Sequence, residues 1–356
     1  MSSIAVDNRA SARKKFLLAL APGLAIAASI ALVAHLASHN IGFLRNYQMI
    51  MAIILGAIAS NVVGLPAAAT EGVAFCLRRI LRFSIVLLGL QITAQQAAEV
   101  GGVGIAIIAI GLLTTLFVTV PMGRLIGVPR GLALLIGVGT SICGASAIIS
   151  AKAAVQGEDE DAAYAIASIT LFGTAAIFAY PIANGLLHLT PHTFGLWAGA
   201  SIHEVAQVVA TAFDGGPEAL RTGTIAKLTR VAMMAPVIIA LGSLSLRFGF
   251  GRADVKVRPP FPWFLIGFLA MVGIASFVAL PHTGDNPIDV SALFVRDHMG
   301  AISTATAFLL SMAMAAMGMH VSIRHIRSKG IRPLLLGLLS TLFISLITLA
   351  MIRWFT

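Results

Sequence analysis

Residues 131–155 read GLALLIGVGTSICGASAIISAKAAV, an apolar run that is long enough to cross a bilayer but is interrupted near its centre. If the helix unwinds there, its second half exposes an N-terminus with about half a positive charge and unpaired N–H groups, which suits an anion. The run therefore predicts a discontinuous helix with a substrate site at the break, as in many secondary transporters, whereas close helix packing through small residues is the alternative. The residues assigned to this site are Gly139, Thr140, Ser141, Cys143, Gly144 and Ser146.

The composition of the whole chain places this run in a membrane protein. Hydrophobic residues make up 58% of the 356 residues and charged residues only 11%, against about 45–50% and roughly a quarter in soluble domains. So few charges cannot cover a soluble globule of this size, and we expect an all-α protein that crosses the bilayer many times. The two cysteines exclude a disulfide framework or a Cys-rich metal site, and no metal or cofactor is expected.

The apolar runs predict about eleven transmembrane helices. A cytoplasmic tail at 1–15 precedes a single membrane domain at 16–356, and no linker is long enough for a soluble domain. The first run is too long for the apolar core of a signal peptide. The runs are 16–37, 47–65, 79–93, 102–121, 131–152, 162–187, 194–212, 222–246, 262–280, 300–321 and 333–352.

The basic residues predict the orientation of these helices. With a cytoplasmic N-terminus, most of the 24 Lys and Arg residues fall on the inner side and the acidic run 158–161 falls outside. The net charge of +10 then reflects topology, so no nucleic-acid partner is expected. An odd number of crossings places the C-terminus outside.

The seventh run carries His203, Glu204 and Gln207 near its middle. A carboxylate at bilayer depth is expensive, so we expect Glu204 to carry a coupling proton or ion, with His203 as a second candidate and Gln207 as a substrate ligand. A buried pair that locks two helices together is the structural alternative. The sequence HEVAQ lacks the second histidine of a zinc-protease motif, so this class of enzyme is excluded.

The eighth run places Lys227 and Arg230 three residues apart on one helical face. The pair could bind a divalent oxyanion, with Arg230 giving a bidentate contact, and a contact between Glu204 and either cation is geometrically easy. Snorkelling of both side chains to the outer surface is the alternative of equal weight.

Internal similarity suggests inverted symmetry. GLLTTLF at 111–117 recurs as GLLSTLF at 337–343, and LLGLQIT at 87–93 resembles AMGMHVS at 316–322. These pairs relate helices three and four to ten and eleven, an odd offset that implies opposite orientation. Ser141-Ile142 also resembles Ser201-Ile202, which implies a different pairing, so the register of the repeats stays open.

Taken together, several motifs resemble the bacterial YeiH-type family, which is named for sulfate export. They are GTSICGASAI at 139–148, SIHEVAQVVA at 201–210, TIAKLTRV at 224–231, RFSIVLLGLQIT at 82–93 and AMAAMGMHVSIRHI at 313–326.

The resemblance implies an inner-membrane transporter with the fold of the bile-acid-symporter and sodium–proton-antiporter superfamily. That fold has inverted five-helix repeats, core and panel domains and two discontinuous helices. An extra first helix at 16–37 would precede repeats at 47–187 and 194–352. On this scheme the second discontinuous helix is the tenth, near 303–306.

The sequence thus predicts a secondary transporter, not an enzyme, which exports a small anion, most simply sulfate or another sulfur oxyanion. Its coupling ion is H⁺ or Na⁺, and its oligomeric state stays open, a homodimer included. A cation/proton antiporter is the nearest alternative, although no Asp or Glu lies between Glu99 and Glu158. An intramembrane hydrolase using Ser141 or Ser146 with His203, and a passive channel, are alternatives of other classes.

Overall fold

A computed structural model describes residues 2–41, 47–155, 158–247, 262–280, 295–320 and 330–356, which are helical almost throughout and contain no strand. Short 3₁₀ and π turns at 59–64, 67–69, 76–80 and 89–91 connect some of the helices. The longest polar stretches of the sequence, which are loop-sized, are 247–260 and 281–299, and most of each lies outside the described residues. The α-helices are α1 (Ser2–Asn40), α2 (Gln48–Ile58), α3 (Thr70–Phe75), α4 (Leu81–Leu88), α5 (Ala94–Ala98), α6 (Gly101–Ile126), α7 (Arg130–Ser141), α8 (Ala145–Val155), α9 (Asp159–Leu187), α10 (Pro191–Ser201), α11 (Val205–Asp214), α12 (Gly216–Ala232), α13 (Met234–Arg247), α14 (Trp263–Val278), α15 (Met299–His320) and α16 (Ile331–Phe355).

Six of these helical segments are long and apolar enough to cross a membrane, by length and composition. The prediction of a polytopic all-α membrane protein is therefore confirmed. The other five predicted runs correspond to shorter or interrupted helices, so the predicted count of eleven crossings is not confirmed. The six segments are Leu18–Asn40, Gly101–Ile126, Asp159–Leu187, Gly216–Leu244, Met299–His320 and Ile331–Phe355.

The chain divides into two structural units. The first draws on residues 1–93 and 267–322, and the second on residues 94–266 and 323–356.

In the first unit, α2 and α15 pack closely because both carry glycine at their contact. A methyl group added to Gly56 would collide with the carbonyl of Ala315, and one added to Gly318 with the carbonyl of Ile53. In a lipid bilayer the hydrophobic effect does not drive helices together, and small residues instead let two helix backbones pack closely.

The predicted break near 303–306 is wrong, because α15 runs unbroken through this stretch. The Thr304 and Thr306 hydroxyls donate to carbonyls four residues earlier in the same helix, at 3.0 and 2.7 Å. Without a glycine between residues 301 and 317, these hydroxyls bond back to an intact helix instead of replacing lost backbone bonds.

In the second unit, α6 and α16 form an antiparallel pair. The Thr119 hydroxyl donates to the Ser340 hydroxyl at 3.1 Å. Nearer the end of α6, Gly123 faces Leu336, whereas Gly111 faces Thr348. Residue numbers therefore rise along one helix as they fall along the other.

The fifth predicted run folds back on itself as a hairpin instead of forming one straight helix. Its helix ends at Ser141 and restarts at Ala145, so the predicted interruption is present. A methyl group added to Gly131, at the start of α7, would lie 3.9 Å from the Asp161 carboxylate at the start of α9. A straight run of 25 residues would separate these ends by roughly 37 Å. Helices α7 and α8 are thus the two arms of a re-entrant hairpin.

The seventh predicted run forms a second hairpin from α10 and α11. A methyl group added to Gly215, directly after α11, would lie 2.6 Å from the ring of Phe194 near the start of α10. Helix α12 then runs parallel to α10, since Gly195 contacts Ala219 and Gly199 contacts Gly223. The chain therefore returns to its starting side before α12 begins.

The two hairpins enter the second unit from opposite ends. Helix α9 starts beside the base of the first hairpin and ends at Leu187, with three residues between it and the start of α10. Its middle passes the tip of the first hairpin, where Ile169 contacts Gly139 and Gly144. Only the length of α9, 29 residues, separates the bases of the two hairpins.

Candidate functional site

The tips of the two hairpins meet inside the second unit. The first tip, residues 142–144, leaves the helical conformation at Ile142 (φ −109°, ψ −94°) and turns back through Gly144 at φ +77°. The second tip is residues 202–204, between Ser201 and Val205. A methyl group added to Gly144 would lie 2.7 Å from Cγ of Glu204, so the tips are in contact.

Lys227 joins the two tips from α12. Its side chain is fully buried, and its Nζ donates to the carbonyl oxygen of Ile142 and to that of Ile202, each at 2.8 Å. One carbonyl comes from each hairpin. A single ammonium group thus links the residues that directly follow α7 and α10.

Arg230, one turn further along α12, is buried as completely and bonds to the same two helix ends. On the first hairpin, its Nε and Nη2 donate to the carbonyls of Ser141 and Thr140 at 3.0 and 2.5 Å. On the second, its Nη1 donates to the carbonyls of Ile202 and Gly199 at 2.8 and 3.2 Å.

These bonds show what the cations neutralise. The last carbonyls of a helix lack partners within it and carry about half a negative charge, so two C-termini meeting at depth would repel each other without a cation. Neither side chain snorkels to the surface, because both are fully buried. Neither forms an ion pair with Glu204 within 4.0 Å among the described residues. The cations hold backbone carbonyls together.

Glu204 lies at the other face of the tips, where it caps α11. Its carboxylate accepts from the backbone N–H of Gln207, and the Gln207 side chain accepts from the Glu204 N–H at 3.0 Å. The Thr170 hydroxyl on α9 donates to Glu204 Oε1 at 3.2 Å. The carboxylate thus satisfies the positive end of a helix, although the residue is only half-buried.

His203 is fully buried and points toward α16. Its Nε2 lies 2.8 Å from the Thr341 hydroxyl, which donates in turn to the carbonyl of Gly337. The Thr341 oxygen is therefore the acceptor, so this assignment places the hydrogen of the neutral imidazole on Nε2. Nδ1 is left as a buried acceptor with no hydrogen-bond partner among the described residues.

Two more buried polar atoms near the cations have no hydrogen-bond partner in the described part of the chain. They are the Thr140 hydroxyl, whose carbonyl binds Arg230, and the Thr224 hydroxyl, one turn before Lys227 on α12. A buried polar atom without a partner costs free energy unless something else satisfies it. Such atoms are the expected ligands of a bound polar molecule.

The remaining predicted ligands occupy the first hairpin with different exposures. Gly139 gives room for Ile148 of the returning arm, so its role is packing. Cys143 is half-buried, with its Sγ 3.5 Å from Sδ of Met234, whereas Ser146 is exposed in the first turn of α8. That turn presents the N–H groups that helix geometry leaves unpaired.

Sequence reasoning missed two kinds of contributor to this site. The carbonyls of Ile142 and Ile202 belong to apolar residues, so side-chain chemistry gives no signal for them. Thr170 and Thr341 lie on helices that looked like plain spans, where a lone threonine is indistinguishable from one that bonds to its own backbone.

The fold and the buried charges at its centre define a polytopic helical membrane protein. A protein-family model described as conserved hypothetical protein 698 matches residues 22–337, and the chain belongs to that family. Similar proteins, each named as a UPF0324 membrane protein, occur in Corynebacterium glutamicum, with 36% identity over 92% of this chain and 91% of the relative, and in Pseudomonas aeruginosa, with 38% identity over 90% of each chain. A third, from Agrobacterium fabrum, is 32% identical over 95% of this chain and 94% of its own. No solved structure matches the chain.

Proposed function

We propose that this protein is a secondary transporter that moves a small divalent oxyanion, sulfate or another sulfur oxyanion, out of the cell together with a proton. The observation that carries the proposal is the meeting of two oppositely directed hairpins at Lys227, Arg230 and Glu204. Discontinuous helices that meet at depth, with helix ends aimed at one point, form the substrate sites of many secondary transporters.

The charges at the tips favour an anion. Two full positive charges, on Lys227 and Arg230, face two helix C-termini that together carry about one negative charge. The N-termini of α8 and α11 add about one positive charge, and an ionised Glu204 removes one. The site therefore keeps a net charge of about +1 with Glu204 ionised and about +2 with Glu204 protonated, which matches a divalent anion in the protonated state.

This balance couples the anion to a proton. A divalent anion binds better once Glu204 has taken up a proton, and by reciprocity the anion favours that protonation. Leaving with one proton, the anion carries one negative charge outward. An inside-negative membrane potential favours that movement by about 2.3 kcal/mol per 100 mV.

The arrangement of the second unit also supports alternating access. Helices α6 and α16 are antiparallel, and the two hairpins enter from opposite ends, which supports an inverted arrangement of these elements around the tips. Two sets of helices with inverted orientation around one site can exchange their arrangements, which gives equivalent inward-facing and outward-facing states.

The cation/proton antiporter is the weaker candidate. A transported cation would have to enter a site that already contains two buried positive charges, and the repulsion at a separation near 4 Å is about 4 kcal/mol per pair at an effective dielectric constant of 20. Glu204 alone cannot offset both, since it also caps α11.

The test is pH-dependent anion binding and flux, with Glu204→Gln as the variant. The amide keeps the size of the side chain and an oxygen that can accept from Thr170 and the Gln207 N–H, so the protein should fold. In the native protein we expect sulfate affinity to rise about tenfold for each pH unit of acidification over the range in which Glu204 titrates, the slope for uptake of one proton. In Glu204→Gln this slope should vanish, in thermal-shift titrations of purified protein and in sulfate flux from proteoliposomes.

Glu218→Gln is the matched control, because Glu218 is exposed in the first turn of α12, away from the tips. It should keep the pH slope of the native protein. If sulfate affinity in Glu204→Gln depended on pH as it does in the native protein, Glu204 would not be the group that couples the proton. Absence of sulfate, sulfite and thiosulfate binding at every pH would overturn the choice of substrate.

A further inference from the structure

One point between the hairpin tips is built like a binding site for a monovalent cation. The carbonyl oxygens of Ile142 and Ile202, one from each hairpin, converge there from the C-terminal ends of α7 and α10. In transporters with interrupted helices, unwound carbonyls and helix C-termini of this kind are what hold Na⁺. Here the point is filled by a side chain of the protein.

We propose that the Lys227 ammonium is a tethered cation that takes the place of Na⁺, so that the hairpins are joined without a bound ion and transport does not require sodium. The sodium independence of transport rests on the function proposed above, whereas the role of Lys227 in place of Na⁺ rests on the contacts alone.

The contacts of Lys227 are those of a cation held by backbone oxygens. Its Nζ is equidistant from the two carbonyls, at 2.8 Å, and no carboxylate forms an ion pair with it among the described residues. Lysine suits this position because its charge is compact and sits at the end of a flexible stem. Arginine would bring a wide planar group that cannot centre between two opposed carbonyls.

Arg230 occupies further carbonyls at the same two helix ends, those of Thr140, Ser141 and Gly199. It also shares the carbonyl of Ile202 with Lys227. A Na⁺ ion at these carbonyls would meet two like charges and acceptors that already receive hydrogen bonds.

Lys227→Ser tests the inference, because it removes the ammonium and its stem but keeps a small hydroxyl. The emptied space retains the carbonyls of Ile142 and Ile202. We expect the variant to unfold at a lower temperature than the native protein in choline chloride, and to recover part of the loss in NaCl of equal ionic strength. The native protein should have the same unfolding temperature in both salts.

Lys227→Met is the second variant, since its side chain fills the space without a charge. It should lose stability as Lys227→Ser does and show no response to Na⁺. Lys152→Ser, at a partly exposed lysine that pairs with Asp159, controls for the loss of a lysine elsewhere. Its unfolding temperature should be the same in NaCl and in choline chloride.

The native protein alone already decides the main point. A higher unfolding temperature in NaCl than in choline chloride would overturn the inference even if no variant folds. A Lys227→Ser variant as stable as the native protein, or one that Na⁺ leaves unchanged, would also overturn it. In proteoliposomes, sulfate flux should be equal in Na⁺ and choline; no flux in either would refute the proposed function while leaving the binding result intact.

Discussion

At the tip of the first hairpin, Gly144 combines a backbone conformation and a contact that both require glycine. Its φ of +77° lies in the left-handed region, and a methyl group there would press on Cγ of Glu204 at 2.7 Å. The residue lets the chain reverse and lets the carboxylate of the opposite hairpin approach the N-terminus of α8. Its absence of a side chain therefore positions the proposed coupling group.

Gly144→Ala should destabilise the protein by more than the about 1–2 kcal/mol of a left-handed alanine, because Glu204 must also move. Gly101→Ala is the matched control, since Gly101 has φ +63° with no atom within 4 Å of an added methyl group. We expect both variants to unfold at lower temperature and only Gly144→Ala to change the pH slope of sulfate binding. Identical behaviour of the two would show that the Glu204 contact has no functional weight.

The residues of the site were predictable from sequence where side-chain chemistry marks them. Glu204, Lys227 and Arg230 stand out because a charge is rare in an apolar run. The partners of these residues are not visible in the sequence, since a buried cation can pair with a carboxylate, a ligand or a backbone carbonyl. Glu204 forms no ion pair with either cation within 4.0 Å among the described residues, and backbone carbonyls bind the cations instead. Carbonyl acceptors are present at every residue, and only the fold selects which ones converge.

At the scale of helices, the contact between α10 and α12 depends on glycines that let two parallel backbones touch. A methyl group added to Gly199 would meet the carbonyl of Gly223 and lie 2.6 Å from Cβ of Ala226. This contact fixes the distance between the second hairpin and the helix that carries Lys227 and Arg230. The bonds from both cations to that hairpin depend on it.

Gly199→Ala should therefore lower the unfolding temperature and weaken sulfate binding together. Gly185→Ala is the control, because Gly185 lies in α9 with open space around an added methyl group. That variant should be neutral or slightly more stable, since alanine favours a helix by about 1 kcal/mol over glycine. Equal stability of Gly199→Ala and Gly185→Ala, measured by thermal unfolding in detergent, would argue against a tight contact here.

The break in the first hairpin was predictable, whereas the hairpin itself was not. Glycines interleaved with hydroxyl residues mark a weak point in a helix, but two arms of 12 and 11 residues have the summed length of one crossing helix. Hydropathy therefore cannot tell a helix that crosses from one that turns back. The second break was harder still, because residues 202–204 contain no glycine, and its only signal was the likeness of Ser201-Ile202 to Ser141-Ile142.

At the scale of the whole molecule, the hairpins change which loops share a side of the membrane. A crossing run would put residues 158–161 opposite Arg130, whereas a hairpin returns them to the side from which α7 entered. The contact of Gly131 with Asp161 reflects this return. Lys152, near the end of α8, then joins the more basic side, and the acidic run 158–161 joins it as well, contrary to the expectation from the sequence that this run lies on the other side.

Cysteine labelling tests this sidedness. In a background with Cys76 and Cys143 replaced by serine, Glu160→Cys and Arg130→Cys should react with a membrane-impermeant maleimide from the same side of the membrane. His192→Cys, at the base of the second hairpin, should react from the other side. Opposite reactivity of residues 130 and 160 would mean that the first run crosses the bilayer.

The hairpins also impose an order on biosynthesis. The carbonyl of Ile142 receives its bond from a lysine that is 85 residues later in the chain. At about 5–20 residues per second, roughly 4 to 17 s pass between the synthesis of the first tip and that of the helix that completes it. During this interval the first tip lacks the cations that neutralise its helix end. We therefore expect the first hairpin to reach its final packing only after α12 has been synthesised.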